Sequence, residues 1–129
     1  MKISDKGIEF LIKEEGGIKL KAYKCQAGIL TIGIGHTGKD VVPGMEISRV
    51  EAIELLKSDL KRFEDVVNKS IKYPIEQNQF DALVSLAFNI GTNAFANSTV
   101  VKRINAGADM KDVEEAWKMW RKSITNFSC

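Results

Sequence analysis

The sequence predicts an α+β domain that is mostly helical, with a small β-hairpin subdomain after the first helix and a helical bundle around one central buried helix. Three observations predict this class. Apolar residues recur at helical spacing at the start of the chain and again in its second half. The segment between these two regions is rich in glycines and β-branched residues. One run in the second half of the chain is apolar on almost all sides of a helix. The 129 residues fit a single domain with a sizeable core.

The first helix is predicted to end at a pair of glycines. Its apolar residues recur at spacings of three to five, which is typical of one buried helix face. Ser4 and Asp5 offer side chains that can cap its start, and Gly16 and Gly17 stop it. The apolar face consists of Ile3, Ile8, Leu11 and Ile12.

Residues 18–46 are predicted to form the β-rich subregion. From Gly28 to Gly35 the sequence combines β-branched residues with glycines, which favours short twisted strands and tight turns over a helix. These glycines lack the following helix and the Lys-Ser/Thr ending of a phosphate-binding loop, so we interpret them as turn and bulge positions. Pro43 and Gly44 close the region with a turn.

Residues 47–122 are predicted to form the helical lobe. Ser48 and Glu51 make a capping box, which begins an amphipathic helix that runs to about residue 69. The run from Glu76 to Asn89 is apolar nearly all round, so it should be the central buried helix, ended by Gly91. The apolar face of the helix after the capping box consists of Val50, Ile53, Leu56, Leu60, Phe63 and Val67.

Two shorter helices complete the predicted lobe. Ser98 or Thr99 can cap a helix that stops at residues 106–107. A last helix over residues 109–122 carries Trp117 and Trp120, which we interpret as core residues because they lie at helical spacing.

Charge and hydropathy exclude several classes of function. The chain has 19 basic and 17 acidic residues, a net charge of +2 that is too balanced to indicate nucleic-acid binding. No apolar run has the length of a signal peptide or of a bilayer span, so we expect synthesis in the cytoplasm and no stable membrane insertion. The small positive surplus would suit an anionic cell-wall polymer.

The two cysteines, Cys25 and Cys129, are expected to be free thiols in a reducing compartment. A disulfide between them would require the tail to fold back to the first hairpin, and the sequence leaves that open.

Glu15 is the candidate acid. It lies at a helix end, where the partial negative charge of the helix carboxyl terminus disfavours an ionised carboxylate. Partial burial acts in the same direction, and both effects raise the pKa, as a general acid requires near neutral pH. Cys25 and Thr31 follow on the hairpin. An acid on one side of a sugar and a second polar group on the other is the arrangement that glycoside hydrolysis needs.

Two long blocks carry a family resemblance. Residues 20–38, LKAYKCQAGILTIGIGHTG, resemble the signature of the phage-type lysozymes of glycoside hydrolase family 24. Residues 78–107 are similar to that family's central helix and the helix after it, and residues 114–120 resemble the start of its next segment.

The resemblance implies a lysozyme-like fold and a monomeric hydrolase without cofactor or metal. Its substrate would be the glycan strands of peptidoglycan, cut at the β-1,4 bond between N-acetylmuramic acid and N-acetylglucosamine, so that the bacterial cell lyses. Such an enzyme reaches the wall from the host cytoplasm through a separately encoded pore.

By the same resemblance the catalytic residues are Glu15, Cys25 and Thr31. Glu15 would protonate the leaving oxygen, while Thr31 and the group at position 25 would position the attacking water. A thiol is a poorer base than a carboxylate, so we expect any base role of Cys25 to be minor or water-mediated.

The chain departs from the family pattern in two places. Glu15 lies five residues before Leu20, whereas the family has four, so either one residue is inserted or Gly16 occupies the acid's position. Glu14 is a lesser candidate because it would face about 100° away on a helix. The family's segment beyond the last Trp is missing. These departures keep an alternative open, a non-catalytic peptidoglycan-binding or structural relic of the fold.

His36 is the only histidine. No Cys, Asp or Glu cluster at ligand spacing supports a metal site around it. We interpret His36 as a structural residue that orders the hairpin through hydrogen bonds, with Gly35 and His36 also noted as candidate substrate contacts.

Overall fold

A computed structural model describes residues 1–107 of the chain, and in that range it confirms the α+β class. The first helix is followed by three short strands and then by four more helices within these residues. The helices are α1 (Asp5–Glu14), α2 (Arg49–Ser70), α3 (Gln77–Ile90), α4 (Thr92–Ala96) and α5 (Thr99–Asn105). The strands are β1 (Lys19–Lys24), β2 (Leu30–Gly33) and β3 (His36–Thr37).

Helix α1 is anchored at its start by α3. Ser4 is the N-cap, and its hydroxyl accepts from the Gly7 N–H at 3.2 Å. The Ser4 N–H and hydroxyl both donate to the Asp81 carboxylate of α3, the N–H at 2.9 Å. Gly7 fits here because a Cβ at that position would lie 2.8 Å from the Asp81 carboxyl carbon. The two helices therefore approach closely, and α1 can present its other end to the hairpin.

The three strands form one antiparallel sheet in the order β1-β2-β3. Thr31 lies at the centre of this sheet, opposite Tyr23 of β1 and Thr37 of β3. The free side of β1 is covered by the chain after the predicted turn, where the Ile47 N–H donates to the Leu20 carbonyl at 2.9 Å. The strand positions agree with the predicted β-rich stretch, while the division into 18–46 and 47–122 stays a prediction.

Helix α2 begins at the predicted capping box, with reciprocal 3.1 Å hydrogen bonds between Ser48 and Glu51. One member of its predicted apolar face is wrong, because Val50 is 71% exposed whereas Ala52 is fully buried. The two residues lie about 200° apart around the helix, so they cannot share a face. The buried face of α2 consists of Ala52, Leu56, Leu60, Phe63 and Val67.

Helix α3 is the central buried helix, as predicted. Phe80 is completely buried, the residues from 83 to 87 are buried in an unbroken run, and Gly91 ends the helix. Ser98 caps α5, which also confirms a prediction. Helix α4 was not predicted, since five residues are too few to show a period, and its Phe95 enters the core. The predicted helix over 109–122, with its two tryptophans, lies outside the described residues.

Among residues 1–107, none of the helices combines the length and the apolar character needed to cross a lipid bilayer.

Candidate active site

Glu15 caps the carboxyl end of α1. Its N–H donates to the Leu11 carbonyl at 2.9 Å, so the residue still belongs to the hydrogen-bonded frame of the helix. Gly16 and Gly17 follow with φ of +84° and +97°. The Gly17 N–H returns to the Ile12 carbonyl at 2.8 Å, which closes the helix end. Two left-handed residues in succession are accessible to glycine without strain, so the segment after Glu15 has the backbone freedom that an inserted residue would need.

The surroundings of Glu15 suit a proton donor. Its side chain is half-buried, whereas that of Glu14 is exposed. Burial raises the pKa of the Glu15 carboxyl above its ordinary value, and the charge of Glu14 raises it further. The Glu15 carboxyl makes no hydrogen bond or ion pair to another residue within 1–107.

Thr31 is completely buried in β2. Its hydroxyl donates to the backbone carbonyl of Ile29 at 2.9 Å. The same carbonyl accepts the backbone N–H of Cys25 at 3.0 Å. The hairpin thus brings two of the three predicted catalytic residues together at one backbone oxygen, and this oxygen was not identified from the sequence.

Cys25 is half-buried at the end of β1 and is disulfide-bonded. The expectation of a free thiol at this position is therefore wrong. Because Cys25 is the sole cysteine within residues 1–107, its partner lies outside the described residues. A disulfide sulfur has no proton to exchange, so in this state the Cys25 side chain cannot act as a base, and its backbone N–H is bonded to the Ile29 carbonyl.

His36 is held by two carboxylates. Its Nδ1 lies 2.7 Å from Asp59 of α2, its Nε2 lies 2.8 Å from Asp40, and its side chain is only 11% exposed. Burial alone would lower the pKa of the imidazole, but the two hydrogen bonds and charges outweigh burial and raise it. Both ring nitrogens are occupied, so His36 links β3 to α2. Gly35 lies beside it in the β2–β3 turn with φ of +68°.

Sequence reasoning missed both partners of His36. Asp40 follows it by four residues in a turn, and that short spacing is a signal that could have been used. Asp59 is 23 residues away on another element, and no local pattern indicates the contact.

The described part of the chain offers no competing site of clear chemistry. Within residues 1–107, no group of three or more His, Cys, Asp or Glu side chains could hold a metal ion. One surface depression there, of about 620 Å³, lies between the first residues of the chain and α2, and two smaller ones lie elsewhere on residues 1–107. Glu15, Cys25 and Thr31 line none of these three depressions.

Comparison with known proteins gives consistent matches. A family model described as phage lysozyme matches residues 13–127. The endolysin of Salmonella phage P22 is 46% identical over 127 residues, which cover 95% of this chain and 86% of the relative. A crystal structure of a P22 lysozyme mutant superposes with a TM-score of 0.81 at 47% identity, over 90% of this chain and 81% of that one. The muramidase domain of SpmX from Asticaccaulis excentricus superposes with a TM-score of 0.85 at 38% identity, over 92% and 79% of the two chains.

Proposed function

Because the chain belongs to the phage lysozyme family, whose model matches residues 13–127, we propose that it hydrolyses the β-1,4 bond between N-acetylmuramic acid and N-acetylglucosamine in peptidoglycan. A named endolysin and a named muramidase domain among its relatives support a peptidoglycan-cleaving lysozyme. The observation that carries the proposal is Glu15, a half-buried carboxyl at a helix end whose pKa is raised by burial and by Glu14.

Glu15 acts as the general acid. A carboxyl with a raised pKa keeps its proton nearer to neutral pH and can give it to the oxygen that leaves the cleaved sugar. The bond from the anomeric carbon to that oxygen then breaks, and positive charge develops on the ring. Within residues 1–107 the Glu15 carboxyl has no hydrogen bond to another residue. It can therefore give its proton to the substrate without breaking a contact in that part of the chain.

Thr31 holds the water that attacks the opposite face of the sugar. A lone pair of this water forms the new bond to the anomeric carbon. One water proton then passes to solvent, and Glu15 regains a proton from solvent, so that the cycle closes. Cys25 does not act as a base, since its sulfur is in a disulfide, and its backbone N–H holds the Ile29 carbonyl of the hairpin.

Other parts of the molecule have supporting roles in this proposal. His36 holds β3 against α2 through Asp59, and its other ring nitrogen binds Asp40. Gly35 is the candidate contact to the sugar strand. The division of the single domain into a β-rich subregion over residues 18–46 and a helical lobe over 47–122 stays part of this proposal. The protein acts as a monomer on glycan strands, without nucleic acid, and reaches the wall from the cytoplasm through a separate pore.

The test is clearing of chloroform-treated Gram-negative cells, followed as turbidity. The wild type and Glu9→Gln should clear the suspension, because Glu9 lies on the exposed side of the same helix. Glu15→Gln should not, because an amide cannot donate a comparable proton. Clearing by Glu15→Gln would overturn the assignment of the acid. A wild type that sediments with purified cell walls but never clears them would favour the non-catalytic wall-binding alternative.

A further inference from the structure

Helix α1 carries Glu15 at its carboxyl end, but another helix holds α1 in place. Among the described elements α3 is the principal neighbour of α1, although the hairpin follows α1 directly in the chain. The buried residues of α1 are Gly7, Ile8 and Leu11. The contact between α1 and α3 therefore decides where Glu15 lies relative to the hairpin.

Asp81, a half-buried residue of α3, makes the polar part of this contact. One oxygen of its carboxylate accepts the Ser4 N–H at 2.9 Å, and the other accepts the Ser4 hydroxyl. Because this hydroxyl gives its single proton to Asp81, a lone pair remains to accept the Gly7 N–H at 3.2 Å and cap α1. The negative charge of Asp81 also complements the partial positive charge of the helix start. Asp81 thus fixes where α1 begins.

Gly7 makes the close approach of the two helices possible. A Cβ at this position would lie 2.8 Å from Cγ of Asp81 and 3.0 Å from its Cβ. Since the Cβ of Asp81 is attached directly to the backbone of α3, a side chain at position 7 would force the helices apart. Alanine has the higher helix propensity, so the glycine is explained by the contact with Asp81 and not by the needs of α1 alone.

The extended segment before α1 is held on the same side of the molecule. The Ile3 N–H donates to the Glu64 carboxylate of α2 at 2.7 Å. The Gln77 amide donates to the Lys2 carbonyl and to Asp81, both at 2.8 Å. Helix α1 therefore cannot slide along its axis without breaking hydrogen bonds at its start.

A displacement at the start of α1 reaches Glu15 because the helix is short and continuous. Its ten residues span about 15 Å, and the Glu15 N–H still bonds to the Leu11 carbonyl. We propose that Asp81 is a positioning residue for Glu15, acting through the cap and the close helix contact at the start of α1. This inference rests on the proposed function, since it concerns the acid of that reaction.

Two variants disturb this contact from opposite sides. Asp81→Asn keeps the size of the side chain but removes the carboxylate oxygen that accepts the Ser4 hydroxyl. Gly7→Ala pushes α1 away from α3. The matched control is Ser48→Ala, which removes a capping hydroxyl from the start of α2, where it accepts the Glu51 N–H at 3.1 Å. All three variants should lower Tm.

Activity should separate the first two variants from the control. Release of reducing ends from soluble peptidoglycan strands gives kcat and KM at a temperature where each protein is folded. Asp81→Asn and Gly7→Ala should lower kcat by about tenfold or more with little change in KM, because a displaced acid no longer meets the leaving oxygen. Ser48→Ala should leave kcat and KM unchanged.

The pH–activity profile should show that Glu15 has moved. Its alkaline limb should shift to lower pH in Asp81→Asn and Gly7→Ala, because a displaced Glu15 loses part of the burial that raises its pKa. The charge of Glu14 also raises this pKa, but Glu14 lies on the same helix and moves with Glu15. The limb should stay in place in Ser48→Ala.

Each other outcome contradicts the proposal. Wild-type kcat in both folded variants would overturn it, and so would an alkaline limb that stays in place in both. A loss of kcat that Ser48→Ala shares would indicate general destabilisation and would also overturn it. If Asp81→Asn does not fold, Gly7→Ala decides alone, and wild-type kcat in that variant refutes the positioning role. An inactive wild type would instead overturn the proposed function and this inference together.

Discussion

Asp59→Asn tests how the hairpin is held on the helical lobe. The Asp59 carboxylate of α2 lies 2.7 Å from His36 Nδ1, and the two side chains are 18% and 11% exposed. Asp40 lies 2.8 Å from the other ring nitrogen, but its side chain is 56% exposed. The substitution Asp40→Asn is a matched control, because it makes the same chemical change on the same imidazole at the surface.

The expected loss of folding free energy in Asp59→Asn follows from the burial of the His36–Asp59 pair. A hydrogen bond to a charged group contributes about 1.5–3 kcal/mol when both partners are shielded from water. Since His36 and Asp59 are both largely buried, Asp59→Asn should destabilise the folded state by an amount in that range. This corresponds to a fall in Tm of about 5–15 °C for a domain of this size. Asp40→Asn should have a smaller and more salt-sensitive effect, because solvent screens an exposed pair.

The contribution of the His36–Asp59 pair to stability should depend on pH, and the direction of this dependence follows from the imidazole pKa. The pKa of His36 is raised above its ordinary value of 6.5 in the folded state. A raised imidazole pKa contributes stability that is fully present below the unfolded pKa and is lost as pH rises through the folded pKa. The difference between the wild type and Asp59→Asn should therefore be largest below pH 6.5 and should shrink at alkaline pH.

Thermal unfolding of the three proteins, followed by far-UV circular dichroism across this pH range, measures the effect. Equal destabilisation by Asp40→Asn and Asp59→Asn would refute the argument from burial. A difference that grows as the pH rises would refute the argument from the imidazole charge.

Two further predictions concern the catalytic groups. Glu14→Gln should move the alkaline limb of the pH–activity profile to lower pH while leaving acid-side activity unchanged, because the Glu14 charge raises the pKa of Glu15. Glu9→Gln is the control and should leave the alkaline limb where it is in the wild type. An alkaline limb that also stays in place in Glu14→Gln would contradict the coupling between Glu14 and Glu15. Cys25→Ser should lower Tm through loss of the disulfide yet keep kcat within about tenfold, since loss of a true general base typically costs about 10²-fold or more. A loss of kcat of about a hundredfold, at a temperature where the variant is folded, would restore Cys25 as a base.

The elements that could be predicted are those with local signals. Ser48 and Glu51 identify the start of α2, Gly91 identifies the end of α3, and Ser98 the start of α5. In each case the residues that make the hydrogen bonds lie within one helical turn of each other, so a short window of sequence contains the whole interaction. The apolar character of α3 is likewise a property of a single segment.

The interactions that could not be predicted join distant segments. Ser4 and Asp81 are 77 residues apart, and His36 and Asp59 are 23 apart. Their pairing depends on how the helices pack, which a local pattern does not contain. The Ile29 carbonyl was missed for a different reason. It is a backbone atom, and every residue has one, so only the backbone conformation of the folded hairpin shows that this one accepts the Thr31 hydroxyl, two residues further along the chain.

The identity of the acid depends on where the extra residue is accommodated. Helical hydrogen bonding continues to the Glu15 N–H, and β1 begins at Lys19, so the additional length falls within the three residues between them. Gly16 and Gly17 both have positive φ there, a conformation that a glutamate could adopt only with strain. A carboxyl at position 16 would therefore need a different helix end, whereas Glu15 is already half-buried at the existing one. In the proposed mechanism, the same two glycines that make the sequence depart from its family would therefore allow Glu15 to take the position of the acid.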